Sequence, residues 1–233
     1  DEDISIKSDI IYSGVSYSNA ERTVAITNKE SSFYDWLTSN PLGFGDWFLE
    51  ISNQHLTTEM KSEQYKNFPY DMRMVFASAE KIPVYYYRSN LQKAVQFIKR
   101  HRDIYYDRSK LSGDKPSSIL ISALVADSIK NASFLSVSDI ISAFILGFSN
   151  KSISLMQDDR ILNPVDLREN LIERYTASRL RNMDKWVLAL KELMNIEDER
   201  DFQKSIHNDI NTRVFSEAFE TPTIITPAKP WKK

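Results

Sequence analysis

Apolar positions fall into two regimes along the chain. In residues 4–12, ISIKSDIIY, β-branched and aromatic residues partly alternate with polar ones, which predicts a strand. Residues 22–27, RTVAIT, predict a second short strand; Ser13 to Ala20 between them, with Gly14, Asn19 and several serines, have a loop composition. From Trp47 onward the spacing is mostly that of an amphipathic helix. It predicts helices over about 44–58, 58–67, 90–107, 117–131, 136–149, 166–178, 180–195 and 199–217. Ser136 or Ser138 suits the N-cap of the fifth, and Asn163-Pro164 interrupts the chain before the sixth, with Asp166 near its start. The last stretch, TPTIITPAKPWKK, has three prolines and little periodicity and reads as an extended tail. The expected fold is α+β, mainly α: a small β element within 1–35, a helical lobe over 36–220 and a tail over 221–233.

The helix over 90–107 carries the most information. Leu91, Ala94, Val95, Ile98 and Tyr105 share one stripe, as a buried face requires. Gln92, Gln96, Lys99 and Asp103 share a neighbouring stripe. The next helix opens on Pro116, Ser117 and Ser118. A lysine facing a hydroxyl-bearing helix start suits a triphosphate: it brings a mobile positive charge, and the helix start brings free N–H groups and the positive end of a dipole. A solvated charged face on an ordinary core helix accounts for the same stripe. Arg102 falls on the apolar stripe, so it is expected to be partly buried and paired with an acid. Lys93 and Arg100 are expected to point away into solvent.

Composition narrows the classes. A chain of 233 residues with 42% hydrophobic and 27% charged content is that of a globular protein with a sizeable core. No apolar run is long enough to span a bilayer, and Asp1 to Asp3 are not a basic leader. With no cysteine there is no disulfide or thiolate metal site, and three scattered histidines, at 55, 101 and 207, argue against a zinc centre. Cysteine absence suits a reducing cytoplasm. A net charge of -2 argues against a surface for bulk nucleic acid. The local excess of Lys93, Lys99, Arg100, Arg102 and Arg108 over Asp103 and Asp107 suits a small anionic ligand instead.

Three ordered blocks resemble one family. Arg88 to Asp103, RSNLQKAVQFIKRHRD, followed by Lys115 to Leu124, KPSSILISAL, form the first. Trp36 to Phe48, WLTSNPLGFGDWF, and Leu162 to Leu171, LNPVDLRENL, are the other two. Together they resemble the cGAS/DncV-like nucleotidyltransferases, synthases of cyclic oligonucleotide signals, over roughly residues 5–175. The resemblance implies a polymerase-β-like enzyme whose cleft lies between a carboxylate-bearing sheet and a helical lobe like that of oligoadenylate synthetases. It implies that Lys99 and Ser118, with Ser117 as a weaker companion, hold the β- and γ-phosphates of a donor nucleotide. It implies Mg²⁺ or Mn²⁺, with Asp9 in KSDIIY as the third, metal-binding aspartate of the catalytic set; a polar strand-end residue is the plainer reading of Asp9. Where the family has proline, this chain has Tyr12.

The family's Gly-Ser turn and Asp-x-Asp pair do not occur at their usual distance upstream. Asp1-Glu2-Asp3 has the pair's form at the wrong spacing and reads as an acidic hairpin turn. The resemblance therefore implies the C-terminal portion of a longer enzyme, with loss of catalysis as the other reading. Its implied substrates are ATP, GTP or UTP, and its implied product is a cyclic di- or trinucleotide. Its implied partners are a downstream effector in anti-phage signalling and regulatory proteins. The alternative is a helical module that binds a nucleotide or a protein without chemistry. Trp36 and Trp47 around Ser39-Asn40-Pro41 read as a pinned turn and helix entry. Tyr85-Tyr86-Tyr87 read equally as a base-stacking surface or an aromatic lead-in. Asn163-Pro164 and Glu169-Asn170 mark the family's lid region.

Overall fold

The computed structural model describes residues 2–12, 14, 16–26, 37–76, 78–158, 160–198, 201, 204 and 205. Its elements run α1 (Glu2–Tyr12), α2 (Tyr17–Glu21), β1 (Val24–Ile26), β2 (Leu37–Ser39), α3 (Pro41–Asn53), α4 (Thr58–Lys66) and α5 (Tyr70–Val75). Then come α6 (Asn90–Arg108), α7 (Ser118–Ile129), α8 (Val137–Asp158), β3 (Leu162–Asn163), β4 (Asp166–Asn170) and α9 (Ala177–Met194). The chain is mainly helical with two small antiparallel strand pairs, β1 with β2 and β3 with β4. No described helix is long and apolar enough to cross a membrane.

The core lies where α6, α7, α8 and α9 meet. Leu91, Ile98, Leu120, Ile121, Ile140, Phe144, Trp186 and Leu190 are buried there. α7 is apolar on nearly all sides because α3, α6 and α8 pack around it. A polar tie crosses this core: Trp186 Nε1 donates to His101 Nδ1 at 3.1 Å. A satellite cluster of Leu56, Ile82 and Tyr87 fixes the stretch before α6; Tyr87 Oη donates to the Ala79 carbonyl at 2.6 Å. Tyr87 is therefore a core residue rather than a stacking surface.

Three sequence expectations are corrected. Residues 4–12 lie in helix α1, which packs against α2 and β4 rather than joining a sheet. The short alternation there was ambiguous, and a helix satisfies its own backbone where no strand lies beside it. For the same reason Glu2 and Asp3 belong to α1 and not to a hairpin turn. Residues 166–176 are not a helix, and α9 opens only at Ala177: Asn163 Oδ1 accepts from Val165 N–H at 3.1 Å, and Asn170 Oδ1 accepts from Ile161 and Ile172 N–H at 3.0 and 3.3 Å. These side chains take over backbone donors and set a tight hairpin. The strand expected at 22–27 is present as β1, and Ser13 to Ala20 include the short α2. Apart from Asp201, Lys204 and Ser205, the helix expected at 199–217 and the tail at 221–233 lie outside the described residues.

Helix entries are set by side chains. Asn40 Oδ1 accepts from Gly43 N–H at 2.7 Å and caps α3, with Pro41 at its first position. Ser136 and Asp139 form a reciprocal cap at the start of α8. Ser89 caps α6 in a capping box with Gln92, and its hydroxyl lies 2.7 Å from that of Ser52 on α3. That buried contact sets where α6 begins against α3.

Candidate functional site

With its start pinned, α6 buries Leu91, Ala94, Val95, Phe97, Ile98, His101, Arg102 and Tyr106. The buried face is wider than the sequence stripe and takes Tyr106 where Tyr105 was expected. Beside this face a cavity of about 470 Å³ opens between Phe48 of α3, Gln96, Lys99 and Asp103 of α6, and Ser122 of α7. Gln92, Val95 and Arg100 complete its lining. Its size is that of a small-molecule site.

Lys99 is half-buried at this cavity. Burial lowers its pKa; the Arg102 guanidinium lowers it further, and the Asp103 carboxylate opposes them. Lys99 thus carries a poorly hydrated positive charge for which a second anion is a favourable partner.

Asp103, at one edge of the cavity, is tied to the loop before α7. Arg102, buried as expected, donates from Nε and Nη2 to Asp103 Oδ1 at 3.0 and 2.8 Å. Its Nη1 donates to the Pro116 carbonyl at 2.8 Å and to Ser118 Oγ at 3.3 Å. Lys115 Nζ lies 3.3 Å from the same Asp103 oxygen. From α9, Arg179 donates to the carbonyls of Asp114 and Lys115 at 3.2 and 2.8 Å and covers the Tyr175 ring at 3.8 Å. Two arginines from different helices therefore fix the backbone at 114–116.

Ser117 caps α7, its Oγ accepting from Leu120 N–H at 3.3 Å, while its own N–H donates to Tyr175 Oη at 3.0 Å. Ser118 is exposed at the first helical position. Ser122 Oγ, one turn further on, donates to the Ser118 carbonyl at 3.0 Å. Lys99 thus shares its cavity with Ser122 rather than directly with Ser117 or Ser118, which stand one turn away on the same helix. Asp9 is exposed on α1 and does not line the cavity.

Sequence reasoning missed Ser122, Lys115 and Arg179. Ser122 carries a signal in hindsight, since it stands four residues after Ser118. Gln92 was on the stripe, but its Oε1 accepts from Ser89 N–H at 2.9 Å in the capping box. Arg100 lines the cavity and Lys93 is half-buried, so neither is simply solvated. In the β3–β4 hairpin, Asn163 Nδ2 donates to Glu169 Oε2 at 2.6 Å. Burial raises the Glu169 pKa, the Asn163 bond opposes, and Asp166 adds to the rise.

Among the described residues no three His, Cys, Asp or Glu side chains come together to hold a metal ion. Asp9, exposed on α1, belongs to no such group among the described residues.

The geometry places a half-buried lysine at a cavity of small-molecule size that Ser122 of α7 also lines, with the start of that helix one turn away. Compared with known proteins, the chain is 28% identical over 196 residues to a protein named c-di-GMP synthase from Roseivirga ehrenbergii, covering 78% of this chain and 47% of that one. The chain thus spans about half the length of that relative. No family model matches the chain. No solved structure matches it.

Proposed function

We propose that this chain is the nucleotide-holding part of a nucleotidyltransferase that joins nucleoside triphosphates into a cyclic dinucleotide. The observation that carries the reading is Lys99, half-buried at a cavity of about 470 Å³ beside Ser122, one turn into α7. The likeness to a protein named c-di-GMP synthase supplies the reaction class and favours GTP as substrate. In the reaction a ribose hydroxyl attacks the α-phosphorus, a phosphodiester bond forms, and the bond to pyrophosphate breaks. Lys99 supplies positive charge to the β- and γ-phosphates, and Ser118 supplies a hydroxyl at the helix start. Ser122 adds a second hydroxyl inside the cavity. β1 and β2 belong, in this reading, to the edge of the catalytic sheet, while Asp9, on helix α1 rather than on a strand, stands outside it. Dependence on Mg²⁺ or Mn²⁺, a cytoplasmic setting and a role in anti-phage signalling through an effector follow from the motif resemblance and are part of the proposal.

The full-length protein, given labelled GTP, ATP or UTP singly and in pairs with Mg²⁺ or Mn²⁺, is expected to yield a phosphatase-resistant cyclic product. No product under any of these conditions overturns the enzymatic reading. Lys99→Ala is expected to weaken triphosphate binding; unchanged binding removes Lys99 from the site.

A further inference from the structure

We propose that Lys115 is a second polyphosphate-binding residue, held by Asp103 until the ligand arrives. The inference rests on the reading of the Lys99 cavity as a phosphate site and adds a residue to it.

Asp103 Oδ1 is crowded. It accepts two hydrogen bonds from Arg102, at 3.0 and 2.8 Å, and lies 3.3 Å from Lys115 Nζ. Lys99 is close enough to feel the same carboxylate. One negative charge thus stands among three positive ones, Lys99, Arg102 and Lys115. The imbalance is what an incoming polyanion corrects.

The three cations differ in their freedom. Arg102 is almost fully buried, at 7% side-chain exposure, and is spent on Asp103, Pro116 and Ser118. Lys99 is already at the cavity. Lys115 is 35% exposed, and its ion pair with Asp103, itself 33% exposed, is of the weak, solvent-screened kind. The Lys115 backbone does not need to move. Arg179 holds its carbonyl at 2.8 Å, and Arg102 holds that of Pro116 at 2.8 Å. Only the flexible four-carbon stem has to swing from Asp103 into the cavity that Asp103 lines. A chain of phosphates reaching from Lys99 toward the start of α7 meets Lys115; a single phosphate at Lys99 does not.

The test is calorimetric titration of the full chain with inorganic tripolyphosphate and with inorganic phosphate. Lys115→Gln removes the charge and leaves a polar side chain one atom shorter, and Lys115→Arg keeps the charge and guards against misfolding. Lys99→Gln marks the part of the site proposed above, and Lys130→Gln, on an exposed turn, is the control. Lys115→Gln is expected to weaken tripolyphosphate on the order of tenfold, the effect of one charged contact. Inorganic phosphate affinity, the Lys115→Arg titration and the Lys130→Gln titration are expected to stay near wild type. If Lys115→Gln binds tripolyphosphate as wild type does while Lys99→Gln does not, the role of Lys115 is overturned and the Lys99 site stands. Equal weakening of phosphate and tripolyphosphate by Lys115→Gln also overturns it, since that is a general field effect. If wild type binds neither anion, or Lys99→Gln changes nothing, the phosphate reading of the cavity fails and this inference with it.

Discussion

Arg102 donates a 2.8 Å hydrogen bond to the main-chain carbonyl of Pro116, joining the buried face of α6 to the residue that precedes the cap of α7. The carbonyl belongs to a buried proline and has this guanidinium as its donor. Replacing Arg102 with Met is expected to cost roughly 2–3 kcal/mol, the range for a hydrogen bond to a charged group whose partner is left buried. The ion pair with Asp103 adds little, because Asp103 keeps contact with solvent. Urea denaturation measures the loss; a change no larger than that of an ordinary surface substitution contradicts the assignment.

Lys99 gives a pH dependence with a definite sign. Its pKa in the folded protein lies below the ordinary 10.5, first through burial and then through Arg102. The unfolded chain binds the proton more tightly, so the charged lysine opposes folding wherever it is protonated in both states. Lys99→Met is therefore expected to raise the melting temperature at neutral pH. The gain should shrink as pH rises through the lowered folded value and vanish above 10.5. Polyphosphate affinity of the wild type should decline over the same window, before 10.5 is reached. A melting-temperature difference that is flat across this range contradicts the assignment.

Ser89 joins two contacts in one hydroxyl: the cap on Gln92 N–H at 3.2 Å and the 2.7 Å contact with Ser52. Ser89→Ala is expected to cost about 1–2 kcal/mol, the upper part of the range for a lost N-cap. Combined with Gln92→Ala, which breaks the other half of the box, the loss should be less than additive. Chemical denaturation of the three variants supplies the cycle.

Two glycines of α3 should respond in opposite directions. A Cβ on Gly43 would stand 2.5 Å from Asn40 Nδ2, a side chain that also donates to the Asn19 carbonyl at 2.8 Å. Gly43→Ala is expected to destabilise by about 1–3 kcal/mol through overpacking of this cap. A Cβ on Gly45 meets nothing within 4 Å. Gly45→Ala is expected to stabilise by about 0.5–1 kcal/mol, the helix preference of alanine over glycine. Paired thermal melts test both.

The helices around the cavity were legible because their signals are local. The apolar period of α6 continues without a break, and the expected span of 90–107 meets an observed Asn90–Arg108. α7, expected at 117–131, runs Ser118–Ile129 behind the Pro116-Ser117 entry. What failed depended on partners distant in sequence. Residues 4–12 look like a strand until their neighbours are known, and the hairpin at 162–170 is set by asparagine side chains that period counting ignores. The same division holds at the site. Helical spacing placed Lys99 beside Gln96 and Asp103, but it could not show that Gln92 turns back to its own cap. It also could not bring Lys115 to Asp103, or Arg179 across to the loop at 114–116. Those relations arise only when α6, α7 and α9 are packed together.

Arg179 also sets an order of events. The loop before α7 is gripped from one side by α6 and from the other by α9, and α9 is the last long helix described. During synthesis, α6 and the loop leave the ribosome well before α9 does. A nascent chain stopped ahead of Thr176 holds the lysine-bearing helix but only half of the grip on the loop. The completed grip is therefore a late product of translation, and a shortened polypeptide lacking α9 would hold this loop from one side only.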